Sequence, residues 1–178
     1  MATARHDGAM TSGFPNPPYP PLPPAEGYEA DAFAVTALLV TEDRRFLLQL
    51  RDEKPDIILP GHWSCFGGHL DPGETADQAM LRELDEELRY RPTECHWFFE
   101  SVYSLPRQQR RRVRNVWYLV PLPLDQIPRL EQHEGAGMAL FTLEDALVLP
   151  KISPLDLCAM MLLARQPQLY PRHKDATP

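Results

Sequence analysis

The sequence predicts an α+β fold, an α/β/α sandwich around a mixed β-sheet, spanning residues 28–166 of a 178-residue chain. Three observations carry this expectation. Short apolar, β-branched runs lie both before and after one amphipathic helical stretch. Turn residues bound each of those runs. A second helical run near the C-terminus is apolar enough to pack on the sheet. The length suits one domain with tails, and 43% apolar residues suffice for an ordinary core.

The elements follow in order. Residues 1–27 include FPNPPYPPLPPAEG, which is too proline-dense for a helix or an inner strand. They read as a disordered or polyproline-II arm, either a plain tail or a ligand for an aromatic-grooved partner domain. From Ala32, AFAVTALLV is a buried strand, EDRR a turn and FLLQLR a second strand, so residues 32–51 read as a hairpin. RDEKPDIILPGH is a loop, WSCFGG a short strand running into a glycine corner, and HLDPGE a tight loop. Thr75 opens a helix with Asp77 in its first turn, where negative charge suits the helix dipole; it should run to about Leu88. ECHWFFESVYSL and VRNVWYLVPL are two more strands, joined by PRQQRRRVR. After the long loop PLDQIPRLEQHEGAG comes the short strand MALF. Thr142 and Asp145 resemble a capping box for the helix TLEDAL, and Ser153 stands at the cap of a last helix, PLDLCAMMLLAR. Residues 167–178 read as a polar, frayed tail.

Bulk properties remove several functions. A net charge of −7 and a pI near 5.3 argue against nucleic-acid or anionic-membrane binding, which rest on a basic field. Cys65, Cys95 and Cys158 form no CxxC pair and no zinc pattern, so three small buried thiols in a reducing compartment are expected. No run approaches the roughly 18 apolar residues of a membrane span, and no signal pattern opens the chain. A cytoplasmic location is the expectation.

The chemistry concentrates in GHLDPGETADQAMLRELDEELRY, residues 68–90. On a helix turning about 100° per residue, Ala76, Met80, Leu84 and Leu88 form one apolar stripe. Glu83, Glu86 and Glu87 fall in one narrow arc beside it, so at least one carboxylate should be partly buried. Like charges so placed repel, and burial adds a desolvation cost. A hard divalent cation such as Mg²⁺ would relieve both, since it wants oxygen ligands and keeps waters that substrate phosphates can replace. A solvated acidic face is the competing reading. What decides between them is the whole spacing: Gly68, five residues, Glu74, seven residues, then Arg82-Glu83-Leu84-x-Glu86-Glu87. Its chance occurrence in such a chain is on the order of one in a million.

That spacing closely resembles the signature box of the Nudix hydrolases, G-x5-E-x7-R-E-U-x-E-E-x-G-U, where U is an apolar residue. One position departs: Arg89 stands where the second glycine is expected, followed by Tyr90 in the closing apolar place. The strand order around the box is also similar to that family's sandwich. The resemblance implies a MutT-like pyrophosphohydrolase that splits a nucleoside diphosphate linked to a further group X. It implies that Glu83, Glu86, Glu87 and the Gly67 carbonyl hold Mg²⁺, with Mn²⁺ as a substitute. It further implies that Glu74 and Arg82 pair to orient those glutamates, and that Gly68 and Gly73 allow tight turns. Glu86 or Glu87 could serve as general base, as could a loop glutamate, Glu131 or, preferably, Glu134 beside the GAG turn.

The leading substrate is a nucleoside triphosphate, oxidised or non-standard ones included, giving the monophosphate and pyrophosphate. An NDP-sugar or ADP-ribose is the rival substrate, and a silent nucleotide-sensing or protein-binding module the rival function. Arg51 and the basic loop residues Arg107, Arg112 and Arg114 are candidates for phosphate or base contacts. Trp63, Trp97, Phe98, Trp117 and Tyr118 are candidates to stack on a base, with Trp117 preferred. His62 and His69 read as loop hydrogen-bonders rather than ligands, since an oxygen site for Mg²⁺ has little use for imidazole. The expected partner is a small nucleotide, with a homodimer left open. Arg89 leaves two helix exits: a left-handed arginine costing roughly 1 kcal/mol, or a different stop enforced by Pro92.

Overall fold

A computed structural model describes residues 30–104 and 112–171 of the chain. The whole N-terminal arm, residues 1–27, the basic loop around Arg107 and residues 172–178 of the tail lie outside that range. The elements are β1 (Ala32–Val40), β2 (Phe46–Leu50), β3 (Trp63–Ser64), α1 (Ala76–Leu88), β4 (His96–Ser104), β5 (Arg112–Pro121), β6 (Gly137–Phe141), α2 (Leu143–Leu147) and α3 (Pro154–Ala164).

The strands form one mixed sheet in the order β3-β2-β1-β5-β4, with β6 also paired to β2. β1 is apolar along almost its whole length because it is covered on both faces. It runs parallel to β5 in unbroken register from Ala32 opposite Val113 to Val40 opposite Pro121. β4 closes on β5 as an antiparallel partner, and β2 on β1 as the expected hairpin. Successive residues of β1 serve opposite layers, as the period of two requires. Val35, Ala37 and Leu39 join the core under α1, with Met80, Leu84 and Leu88. Leu38 and Val40 join the core under α2 and α3, with Phe46, Trp117, Met160 and Leu163.

Two backbone arrangements position the site. Residues 66–70 run antiparallel along β1: Ala37 N–H donates to Phe66 O and Val35 N–H to Gly68 O, both at 2.9 Å, and Leu70 N–H to Phe33 O at 3.1 Å. The glycine corner is thereby pinned beside the central strand. The loop after β5 docks on the C-terminal end of α1, where His133 N–H donates to Glu87 O at 2.9 Å and Glu131 N–H to Leu88 O at 3.0 Å. Carbonyls that a helix end leaves unpaired thus receive donors from a distant loop.

α1 starts as expected, with Thr75 and Gln78 forming a reciprocal capping box. Ala79 is fully buried, whereas Ala76, expected in the stripe, is only half-buried. Arg89 takes the left-handed exit, at φ 52° and ψ 31°. Tyr90 N–H reaches back to Leu84 O at 3.1 Å, and the buried Tyr90 ring donates its hydroxyl to Pro121 O at 2.9 Å. That anchor offsets the roughly 1 kcal/mol strain of a side chain in this conformation. The Thr142–Asp145 capping box on α2 is present. Ser153 is the cap residue of α3, but its hydroxyl caps no helix N–H and bonds the Asp156 carboxylate instead.

Two expectations need correction. The tail does not begin at 167: Pro167–Leu169 form a 3₁₀ turn, and Leu169 and Tyr170 are buried, with Tyr170 edge-on to Phe46 at 6.4 Å. Nor are all three thiols buried; Cys65 is, Cys95 is half-buried and Cys158 is exposed on α3, whose outward face is itself apolar. Among the described residues no helix is long and apolar enough to cross a membrane.

Candidate active site

Glu87 lies on the inward side of α1 and is only 4% exposed. One carboxylate oxygen accepts the Gly67 N–H at 2.9 Å. The other accepts from the Gln49 amide at 3.3 Å, and the same amide nitrogen donates to Cys65 O at 3.3 Å. Burial pushes the Glu87 carboxyl up to about 8, against the pull of the Gly67 N–H and with the help of the Glu83 and Glu134 charges.

The glycines permit this approach. Gly67 has φ 138°, and any side chain there would strike the Val35 carbonyl. A side chain at Gly68 would run into the Glu83 carboxylate. The corner is therefore bare backbone on one side and carboxylate on the other.

Arg82 organises the outer part. Its Nε and Nη2 make a forked pair with both oxygens of Glu74, each at 3.0 Å. Nη1 reaches Glu83 at 2.9 Å and Glu86 at 3.0 Å, and Nη2 also donates to His69 O at 2.9 Å. The fork holds Glu74 below the usual carboxylate range. Glu83 is nevertheless raised, because burial outweighs the attraction of Arg82. The Glu86 side chain is the exposed member, 60% open to solvent and held by Arg82.

Among the described residues, no three His, Cys, Asp or Glu groups converge as a closed metal-ligand set. The cause is visible: Glu83 and Glu86 turn towards Arg82, while Glu87 turns towards Gly67 and Gln49. The donors themselves fit a hard cation. They are all oxygen, they share one helix arc, and a positive charge already occupies their outer side. The NUDIX family is in general dependent on divalent metals.

A cavity of about 450 Å³ is lined by Gln49, the side chain that bonds Glu87, and by Arg51, Lys54 and Glu134 among others. Arg51 is steered by a 2.7 Å bond from its Nε to Ile58 O. Glu134 lines the same cavity, and its charge acts on both Glu83 and Glu87. The candidates Arg51 and Glu134 thus share a cavity with Gln49, and Glu134 acts on the acidic face through its charge.

Other candidates do not. Trp117 is 2% exposed, stacked on Phe99 at 5.3 Å, with its indole N–H on Ser101 Oγ at 2.9 Å; it is core, because its position in β5 faces α3. Phe98 is buried in the same layer. Trp63 packs edge-on against Phe141 at 4.7 Å. Tyr118 is buried and donates to Asp77 at the opposite end of α1. Arg114 is paired with Glu100 at 2.7 Å, beside Trp97, Tyr118 and Asp77. Asp77 is ten residues from Glu87, about 15 Å along the helix. Arg112 lies further out on β5, where its backbone N–H meets Asp31 at 2.7 Å. Arg107 is outside the described residues. His62 is a loop hydrogen-bonder, its Nδ1 2.9 Å from Pro60 O. Gln49 is the site residue that sequence reading missed. A single polar residue inside an otherwise apolar strand run, FLLQL, was its only signal.

The class to which this fold and site belong, the pyrophosphohydrolases, is identified by the chain's relatives. The chain belongs to the NUDIX family: the family model described as NUDIX domain matches residues 31–160. It is 32% identical over 125 residues to the CTP pyrophosphohydrolase of Escherichia coli (strain K12), a match covering 69% of this chain and 84% of that protein. The fold is similar to the MutT protein from Methanosarcina mazei Go1, with TM-score 0.64 and 20% identity over 76% of this chain and 94% of the other. It is also similar to the NUDIX domain of Shewanella oneidensis NrtR complexed with ADP ribose, with TM-score 0.59 and 22% identity over 80% and 92%.

Proposed function

We propose that the chain hydrolyses a nucleoside triphosphate to the monophosphate and pyrophosphate, using Mg²⁺, or Mn²⁺ in its place, held by Glu83, Glu86, Glu87 and the Gly67 carbonyl. The observation that carries this reading is Glu87: a carboxylate buried at 4% exposure within the field of two more acids, Glu83 and Glu134, and bonded to Gln49, which lines a charged cavity. Such a grouping is costly unless a cation joins it. When bound, the metal would neutralise phosphate oxygens and make a water acidic enough to attack phosphorus.

The chain's own residues divide the remaining work. Arg82 and Glu74 hold Glu83 and Glu86 in reach of the corner. Arg51 offers a guanidinium to the phosphates in the cavity. Glu134, which lines that cavity, would take the proton of the attacking water. The triphosphate preference draws on the similarity to a CTP pyrophosphohydrolase. The rival, an NDP-sugar or ADP-ribose, draws on the ADP-ribose complex of a structural neighbour. Retention of Glu83, Glu86 and Glu87 speaks against a silent binding module.

A panel of nucleoside triphosphates, NDP-sugars, ADP-ribose and dinucleoside polyphosphates, assayed with Mg²⁺ and read by product mass, tests the proposal. Pyrophosphate and a nucleoside monophosphate from one or more triphosphates are expected. Turnover confined to ADP-ribose or an NDP-sugar would transfer the assignment to the rival. No turnover of any member would leave a binding module.

A further inference from the structure

We propose that Gln49, which lies outside the signature box, is a positioning residue that fixes the Glu87 carboxylate for cation binding. This rests on the assignment of Glu87 as a metal ligand. The geometry is specific. Gln49 is 3% exposed at the end of β2, and an uncharged amide is seldom so deeply buried without a task. Its amide nitrogen carries two hydrogens and has two acceptors, Cys65 O and Glu87 Oε1, each at 3.3 Å. Glu87 Oε2 is held separately by the Gly67 N–H at 2.9 Å. The two oxygens are thus gripped by one side-chain donor and one backbone donor, and the carboxylate plane is set. On its other side the Gln49 carbonyl oxygen faces Gly135, next to Glu134. One side chain therefore spans the glycine corner, the buried ligand and the loop that carries the candidate base.

The chemistry explains why an amide suits this position. An apolar residue would leave Cys65 O and Glu87 Oε1 without that donor, at a desolvation cost. A lysine or arginine would satisfy both acceptors, but its positive charge would compete with the cation for the carboxylate. Glutamine orients Glu87 and leaves its charge available.

The test uses the full chain and variants Gln49→Met, Gln49→Leu, Gln49→Lys and Glu87→Gln. Mn²⁺ binding is followed by electron paramagnetic resonance, kcat and KM with Mg²⁺, and melting temperature. Outer partners of metal ligands change affinity or rate by about 10–100-fold. Gln49→Met and Gln49→Leu are expected to weaken Mn²⁺ and lower kcat by about that factor, with KM within about threefold. Gln49→Lys should weaken Mn²⁺ most while melting closest to the parent. On the Glu87→Gln background, Gln49→Met should weaken Mn²⁺ no further, since its effect passes through Glu87. Parental Mn²⁺ affinity and kcat in both Gln49→Met and Gln49→Leu, with Glu87→Gln impaired, would overturn the role of Gln49 alone. Parental Mn²⁺ binding and turnover in Glu87→Gln would overturn the metal-site reading, and this inference with it.

Discussion

α1 and α3 cover opposite faces of the same sheet, and each turns one carboxylate inward. Glu87 accepts the N–H of Gly67, and Asp156 accepts the N–H of Cys65 at 2.7 Å. Both are pushed up by burial, to about 8 and about 6. Their surroundings part them. Glu87 stands beside Glu83 and within the field of Glu134, and its partner Gln49 lines a cavity with Glu134. Asp156 is bonded to Ser153, feels the opposite charge of Arg51, and is the sole charge on an otherwise apolar helix. A buried acid is therefore not in itself a sign of catalysis. Accumulated like charge with room beside it is the sign, whereas a lone acid with donors is a fastening.

The largest effect that would sharpen this contrast is on turnover. Glu87→Gln should lower kcat by at least ~10²-fold, more than loss of an outer partner costs, with the melting temperature held or raised. Asp156→Ala should do the reverse, costing about 1–3 kcal/mol of stability by leaving the Cys65 N–H unpaired, while kcat at a permissive temperature stays within a few-fold. Denaturant melts and steady-state assays of the two variants check both; similar losses of kcat would erase the distinction. A smaller effect concerns pH. Because Asp156 titrates higher folded than its ordinary 3.8, its protonated form favours folding below that value, and the benefit fades as pH rises through about 6. Relative to Asp156→Asn, the parent should lose on the order of 2 kcal/mol between pH 4 and 7. A constant gap between the two melts across that range would contradict the burial argument. The smallest effect is at the helix exits. Arg89→Gly should stabilise by about 0.5–1 kcal/mol by relieving a left-handed arginine. Arg165→Gly should give no such gain, since Arg165 ends α3 at φ −77°. Equal responses in chemical denaturation would show that φ is not what separates them.

What could be read in the sequence, and what could not, follows from the range of each interaction. The order of strands and helices was legible because apolar runs and caps are local signals. The carboxylates of α1 were legible because three- and four-residue spacing on a helix fixes a shared face. Gln49 was not, since its bond to Glu87 joins positions 38 residues apart. Trp117 was misread because alternation says that strand neighbours face apart, not which face meets the ligand. The tail was misread because Leu169 and Tyr170 sit among polar residues, and their burial depends on the pocket beside Phe46. The docking of residues 131–133 on the end of α1 was equally hidden; backbone donors leave no mark in composition.

Residues 65–67 are fastened from both sides of the sandwich, the Cys65 amide to α3 and the Gly67 amide to α1. Their protons will therefore trade with solvent deuterium by different routes. The Cys65 amide exchanges when α3 lifts from the sheet, and the Gly67 amide when α1 does. Two neighbouring resonances thus act as separate gauges of two layers. Their rates, compared with and without Mg²⁺, would tell which half of the molecule a bound cation quiets.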